Sequence, residues 1–282
     1  MKKVYKSPCK INIFLKVTGT RDNYHEIASR FVLLDEPHDV MWFEPGNGVT
    51  FEIIGDFDCD RKDNTIYKAY HALLDYKPMK KIAEFCKKNK LVVLKRIPKF
   101  AGLGGGSSNA ATFLKMLNEI LALGLTTDEL ATIGAKVGAD IPFFIHGYKS
   151  ANVFGIGEIV EPFEDDIPAV ELFTPNDIKC DTKEVFKSFR KHFISSIEPS
   201  FAEELEKMSS KTMRKTPSRL NRSRTSWRWL RTRCCWPCPW CRVTMIAIRR
   251  SRPVLMKRFR PSPSCASCAA RFKYSSRSFS WL

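Results

Sequence analysis

The sequence predicts a two-domain α+β protein, and three observations carry that expectation. Its 282 residues give a length prior of about two domains, and 44% hydrophobic with 27% charged residues is an ordinary composition for a chain that builds a real core. Segments with a two-residue period are interspersed with segments of helical period. The last 76 residues differ in composition from everything before them.

The formal net charge of +17 would ordinarily point to nucleic acid or a membrane surface. Its distribution excludes that reading for most of the chain. Residues 1–206 hold all 30 acids against 27 Lys and Arg, a net of −3, while residues 207–282 hold 20 bases and no acid. The basic start at Met1, Lys2 and Lys3 is not followed by a signal-peptide core, because Lys6, Lys10 and Asn12 interrupt it. No stretch reaches the roughly 18 apolar residues of a membrane span, so the expectation is a cytoplasmic enzyme without a membrane partner.

Ile11, Ile13 and Leu15 alternate with Lys10, Asn12, Phe14 and Lys16, the period of a half-buried strand with Lys10 and Asn12 on one face. Asp22-Asn23 reads as a turn. Further strands are expected at residues 31–34, 40–43, 49–54 and 91–95. Ile66, Ala69, Tyr70, Leu73 and Leu74 give residues 64–74 a helical face. Ala110, Phe113, Leu114, Leu117, Ile120 and Leu121 recur at three and four residues, which starts a helix at about Ser108 and stops it at Gly124. A second helix is expected over residues 128–137, capped by Thr126 or Thr127 and ended by Gly138. Residues 151–160 read as a hairpin turning at 155–157, and residues 168–175 as a strand entering a second domain.

Between these elements runs G-L-G-G-G-S-S-N, residues 102–109. Gly102, Gly104, Gly105 and Gly106 let backbone amides approach a charged ligand and adopt positive φ angles. At a helix N-terminus such amides form an anion site, and Ser107 and Ser108 add hydroxyls for phosphate or magnesium. No Lys follows the glycines, so this is not the G-x-x-x-x-G-K-[ST] loop, nor is a dinucleotide-binding unit evident. A flexible linker would not lead straight into an amphipathic helix.

The run from Pro98 through A-G-L-G-G-G-S-S-N-A-A resembles the ATP-binding motif of the GHMP kinases. So do S-P-C-K-I-N-I-F-L-K at residues 7–16, Asn23-Tyr24-His25-Glu26, and G-A-D-I-P-F-F at residues 138–144. Four motifs in order, between about Lys3 and Phe189, identify the chain as a member. The resemblance implies an ATP- and Mg2+-dependent phosphotransferase with an alcohol acceptor, a cytidine diphosphate methylerythritol in isoprenoid biosynthesis, working as a monomer or homodimer. It implies an N-terminal ribosomal-protein-S5-like α/β domain over residues 1–165. A ferredoxin-like C-terminal domain begins over 166–206 and is truncated, and a disordered tail follows over 207–282.

The same resemblance assigns the residues. Asp140 takes the place of the catalytic aspartate, though from local sequence it could equally cap the turn before Ile141-Pro142. Lys10 takes the place of the catalytic lysine, where a cation would balance Asp140 and stabilise developing negative charge. Pro98, Lys99, Phe100, Ala101, Gly102, Leu103, Gly104, Gly105, Gly106, Ser107 and Ser108 surround ATP, with Asn64 and Lys95 on the nucleotide side. His25 hydrogen-bonds the cytosine, Tyr24 and Phe186 stack on it, and Asn12 and Thr182 lie nearby. His38, His71, His146 and His192 lack ligand spacing and read as core or surface residues, so no protein-held metal is expected.

Two readings fit the tail. Cys235-x-x-Cys238 and Cys265-x-x-Cys268 could form a zinc site in a basic nucleic-acid module. Alternatively the tail is the gene read out of frame: residues with adenine at the middle codon position number 72 of the first 206 but seven of the last 76. Prolines at 217, 237, 239, 253, 261 and 263 break any amphipathic period, and no glycine is available for zinc-knuckle turns. Codon register favours the second reading. It also accounts for the lack, after Gly157, of the second glycine-rich segment that the family carries near its C-terminus. The expectation is a chain that keeps the binding chemistry and lacks the segment supporting it.

Overall fold

The structure is a computed structural model that describes residues 3–22, 24–167, 170–173, 189, 200–215 and 245–248. Its frame is a long antiparallel hairpin of β1 (Tyr5–Arg21) and β2 (Tyr24–Pro45), paired from Tyr5 opposite Met41 to Arg21 opposite Tyr24 with register slips between. Asp22 holds a left-handed φ of 53° in the turn. The separate strands expected at 31–34 and 40–43 are halves of β2. Between them the register slips, so that residues 35–38 stand against Pro8 alone.

A second slip corrects the alternation expected along β1. Asn12 pairs with Phe31 and Phe14 with Arg30, leaving Ile13 as a one-residue bulge. Every side chain beyond a bulge changes face. Phe14 is therefore buried, and Leu15, expected inside with Ile11 and Ile13, is 42% exposed.

The main sheet runs β3 (Ile53–Gly55), β4 (Asn89–Leu94), β2, β5 (Ser150–Phe154), β6 (Ile159–Pro162), with β1 also on β2; β3 and β4 are parallel. β4 pairs with residues 40–45 of β2 and β5 with residues 29–32. The strand expected at 49–54 shrinks to three residues because the Asn47 side chain accepts from the Val49 and Thr50 amides, at 2.8 and 3.2 Å, and fixes a turn there.

Helices α1 (Thr65–Tyr76), α2 (Lys80–Lys88), α3 (Gly105–Ile120), α4 (Thr127–Ala135) and α5 (Ile141–His146) complete this body. Ile66, Ala69, Tyr70 and Leu73 of α1 are buried as their spacing requires. They join Phe113, Leu114 and Leu117 of α3, Phe143 of α5, and Phe31, Met41, Leu91 and Val93 of the sheet in one core. Helix α4 opens on the expected Thr126, with Glu129 completing a reciprocal capping box. Helix α2 was not expected, since only Ile82 and Cys86 of its nine residues are buried. Helix α3 starts three residues earlier than its apolar period implied, so two loop glycines form its first turn.

Beyond the main sheet, β7 (Val170–Phe173) pairs antiparallel with β8 (Met245–Ile248), and α6 (Ser200–Lys207) precedes α7 (Ser210–Lys215). The buried Arg30 guanidinium ties this part to the sheet. It donates to the Asn152 side chain at 2.9 Å and to the Glu206 and Met208 carbonyls, and lies 3.5 Å from the Phe163 ring centroid. Asp165, 3.7 Å from Arg30, accepts from the Ser210 amide at 2.7 Å. Thus α7 and β8 are the described elements of the 207–282 stretch, and its cysteines lie outside the described residues. Among the described residues no helix is long and apolar enough to cross a membrane.

Candidate active site

Residues 98–104 leave the end of β4 as a loop and deliver the chain into α3. Phe100, Gly102 and Gly104 all take left-handed backbone angles, φ 55°, 72° and 71°. Gly104 occupies the N-cap of α3 and has no side chain to offer the helix. The first amides of a helix lack intrahelical acceptors, so those of Gly105, Gly106 and Ser107 remain for a ligand, with the positive end of the helix dipole behind them. Thr65 at the start of α1 donates to the Gly106 carbonyl at 2.8 Å, bringing two helix N-termini together.

The loop is pressed against the residues singled out for chemistry. A Cβ on Gly104 would lie 2.9 Å from the Phe144 ring and 3.3 Å from Lys10 Cγ. The Lys10 backbone amide donates to the Leu103 carbonyl at 3.0 Å. Lys10 Nζ, on a side chain 6% exposed, lies 3.5 Å from Asp140 Oδ2, donates to Asn12 Oδ1 at 2.7 Å, and sits 4.4 Å from the Phe31 ring centroid. Lys10 and Asn12 therefore do share a face, and Asn12 is held in turn by Ser29 at 3.0 Å. Asp140 stands at the N-cap of α5 but makes no side-chain cap bond. The capping alternative is not realised, and its carboxylate faces Lys10. Cys9, next to Lys10, is buried and its thiol is pushed up to about 11 by desolvation, which removes it as a nucleophile.

The two loop serines part ways. Ser108 is fully buried and its hydroxyl lies 2.8 Å from that of Ser7. Ser107 is half-buried, beside Gly138 and thus next to the Asp140 turn. Asn64 caps α1, its side-chain oxygen accepting from the Ile66 amide at 2.9 Å. Lys99 is held by Asp56 at 2.8 Å and Asp58 at 3.0 Å. Lys95 Nζ lies 3.5 Å from where a Cβ on Gly105 would be, and it donates to Asn109 Oδ1 at 2.7 Å and to Asp39.

Asp39 and Asn109 are the residues that sequence reasoning missed. Asp39 is fully buried and also accepts from the Arg96 and Ile97 amides, at 2.6 and 2.8 Å, and from Asn109 Nδ2 at 2.9 Å. An acid directly before the apolar run V-M-W-F was the available signal, since such an acid is buried only when well partnered.

Tyr24 and His25 sit at the turn end of the hairpin, His25 opposite Thr20 and six residues along β2 from Phe31, the partner of Asn12. That separation is about 20 Å at strand rise. Tyr24 is 62% exposed, and the His25 ring meets Phe189 edge-on at 6.0 Å. Thr182 and Phe186 lie outside the described residues.

The residues present suit a triphosphate. Uncapped amides, an ammonium beside Gly105 and a loop in which a Cβ at Gly104 would collide form an anion cradle. Among the described residues no cluster of three His, Cys, Asp or Glu could hold a metal ion. A magnesium ion that arrives with phosphate needs only one or two protein oxygens, and Ser107, beside Gly138 in the turn that leads to Asp140, fits that demand.

Residues 64–148 match the GHMP kinases N terminal domain. A 4-diphosphocytidyl-2-C-methyl-D-erythritol kinase from Sulfurimonas denitrificans is 49% identical over 213 residues, covering 74% of this chain and 80% of that relative. One from Sulfurovum sp. is 45% identical over 204 residues, covering 72% and 79%. A crystal structure of 4-(cytidine 5'-diphospho)-2C-methyl-D-erythritol kinase superposes with a TM-score of 0.51 at 30% identity, covering 67% of this chain and 65% of its own. These relatives give no support to a zinc-dependent nucleic-acid module. With the GHMP fold, the glycine loop of that family and relatives matched over four fifths of their length, the chain belongs to the 4-diphosphocytidyl-2-C-methyl-D-erythritol kinase family of GHMP kinases.

Proposed function

We propose that the chain transfers the γ-phosphate of ATP to the 2-hydroxyl of 4-diphosphocytidyl-2-C-methyl-D-erythritol, in non-mevalonate isoprenoid biosynthesis. The observation that carries this reading is the Lys10 and Asp140 pair, 3.5 Å apart, against an uncapped glycine loop. Phosphoryl transfer asks a protein mainly for positioning and charge stabilisation. The amides of residues 105–107 and the Lys95 ammonium hold the phosphates, and residues 98–104 wrap them. Ser107 would hold the magnesium that accompanies ATP, and that ion would supply charge neutralisation at the phosphates. Asp140 takes the proton of the attacking hydroxyl, and Lys10 balances charge on the phosphoryl group in flight. The roughly 20 Å from Asn12 to His25 supports a long acceptor whose cytosine lies at Tyr24 and His25, with Thr182 and Phe186 completing that end.

The finer organisation belongs to the same proposal: an S5-like domain over 1–165, the start of a ferredoxin-like domain over 166–206 and an out-of-frame tail. The test is ADP release dependent on the cytidylyl acceptor, by this chain and by a frame-restored one. Asp140→Asn is expected to lower kcat by about 10²–10⁴. Phosphorylation of homoserine or mevalonate in place of the cytidylyl alcohol would refute the acceptor and leave the kinase class standing.

A further inference from the structure

The cluster the sequence did not reveal sits directly behind the phosphate loop. Asp39 lies on β2, Lys95 directly after the end of β4, Asn109 on α3 and Ser7 on β1. Their side chains form one continuous buried network, from Lys95 through Asp39 and Asn109 to Ser7, and from Ser7 to Ser108. Asp39 is fully buried and Lys95 has 11% of its side chain exposed. A buried ion pair of this kind seldom adds much stability over an apolar one of similar shape, so its presence asks for another explanation.

The geometry supplies it. An ammonium has three donors. Asp39 and Asn109 take two of those on Lys95, which fixes where the third points, and Nζ lies against Gly105, the first residue of α3, where no side chain intervenes. Oδ1 of the same carboxylate receives the Arg96 and Ile97 amides, the residues that lead into the loop. One carboxylate thus sets both the loop's departure from β4 and the direction of the cation beside its anion site.

We propose that Asp39, with Asn109, is a positioning residue for nucleotide binding: it aims the Lys95 ammonium at the phosphates carried on the N-terminus of α3. The inference rests on the ATP-binding reading above and deepens it.

Asp39→Asn separates the two duties. The amide oxygen can still receive the Arg96 and Ile97 amides, but its nitrogen would then face two donors, Lys95 Nζ and Asn109 Nδ2. Lys95→Met removes the cation and leaves the carboxylate buried without its countercharge. Both single variants are expected to melt earlier than wild type, whereas the double variant, neutral at both positions, recovers most of that Tm.

ATP affinity, measured by calorimetry with magnesium present, follows a different course. It falls about tenfold or more in each single variant and stays at the Lys95→Met value, within about threefold, in the double. Asn109→Ser, which loosens the second anchor, lowers affinity in the same direction with a smaller change in Tm. If affinity returns with Tm in the double variant, the pair is structural and the inference falls while ATP binding stands. If the wild-type chain binds no ATP, both fall together.

Discussion

Replacing Gly104 with alanine tests whether the loop must lie against Phe144 and the proposed catalytic Lys10. Two penalties follow from the structure. Gly104 has φ 71°, which costs a residue bearing a Cβ about 1–2 kcal/mol. The new methyl would also stand 2.9 Å from two atoms of the Phe144 ring and 3.3 Å from Lys10 Cγ, an overpacking worth about 1–3 kcal/mol. The sum, about 2–5 kcal/mol, corresponds to a fall in Tm of about 5–15 °C at this domain size. Gly102→Ala is the internal control, because Gly102 has the same backbone angle, φ 72°, and nothing within 4 Å of a Cβ. It should lose the strain alone, about 3–5 °C. Activity should separate the two further, since displacing Lys10 by a fraction of an ångström to 1 Å costs up to about 10²-fold in turnover. Thermal melts and acceptor-dependent ADP release read both effects, and Phe144→Leu in the Gly104→Ala background should restore part of each. Equal losses in the two glycine variants would refute the claim that close approach, and not backbone angle alone, demands glycine at 104.

Arg30→Met should cost about 3–5 kcal/mol in urea unfolding, because it takes the guanidinium away from the buried Asp165 side chain and from the Met208 carbonyl, and leaves the Glu206 carbonyl to Asn152; limited proteolysis should then cut first within 200–215. Burial pushes the His146 imidazole below its ordinary 6.5, with Asp128 opposing and Lys115 assisting. The fold therefore favours the neutral ring, and stability should be complete above about pH 6.5 and decline as pH falls through that value, a component His146→Gln removes. Asn64→Ala should lose the α1 cap, about 1 kcal/mol in thermal denaturation, and also raise the KM for ATP if α1 adjoins the nucleotide as its bond to Gly106 implies.

The glycine loop was legible because its chemistry admits few residue types: amides open to a phosphate need glycine whatever the surrounding sequence. The pairing of Lys10 with Asp140 was not legible from spacing, since 130 residues separate them and only resemblance brought them together. The face of β1 was read correctly up to Asn12 and inverted beyond it, because a bulge leaves no mark on apolar periodicity. The start of α3 was placed late for a related reason. Glycine is a poor helix former because ordering its freer backbone costs entropy, so apolar period and propensity both place the start of the helix after the two glycines that form its first turn. Asp39 escaped notice because the one signal it carried, an acid directly before an apolar run, does not name its four partners, three from residues 95–97 after β4 and one from α3.

The bond from the Lys10 amide to the Leu103 carbonyl joins the strand proposed to face the acceptor to the loop proposed to hold the donor, using main-chain atoms alone. No substitution short of proline at position 10 deletes it. On the proposed mechanism, the acceptor end at Tyr24 and His25 can therefore drift to fit other alcohols without disturbing the spacing across which the phosphoryl group travels. A lineage built on this frame can change what it phosphorylates one side chain at a time, and each intermediate keeps its two reactants in step.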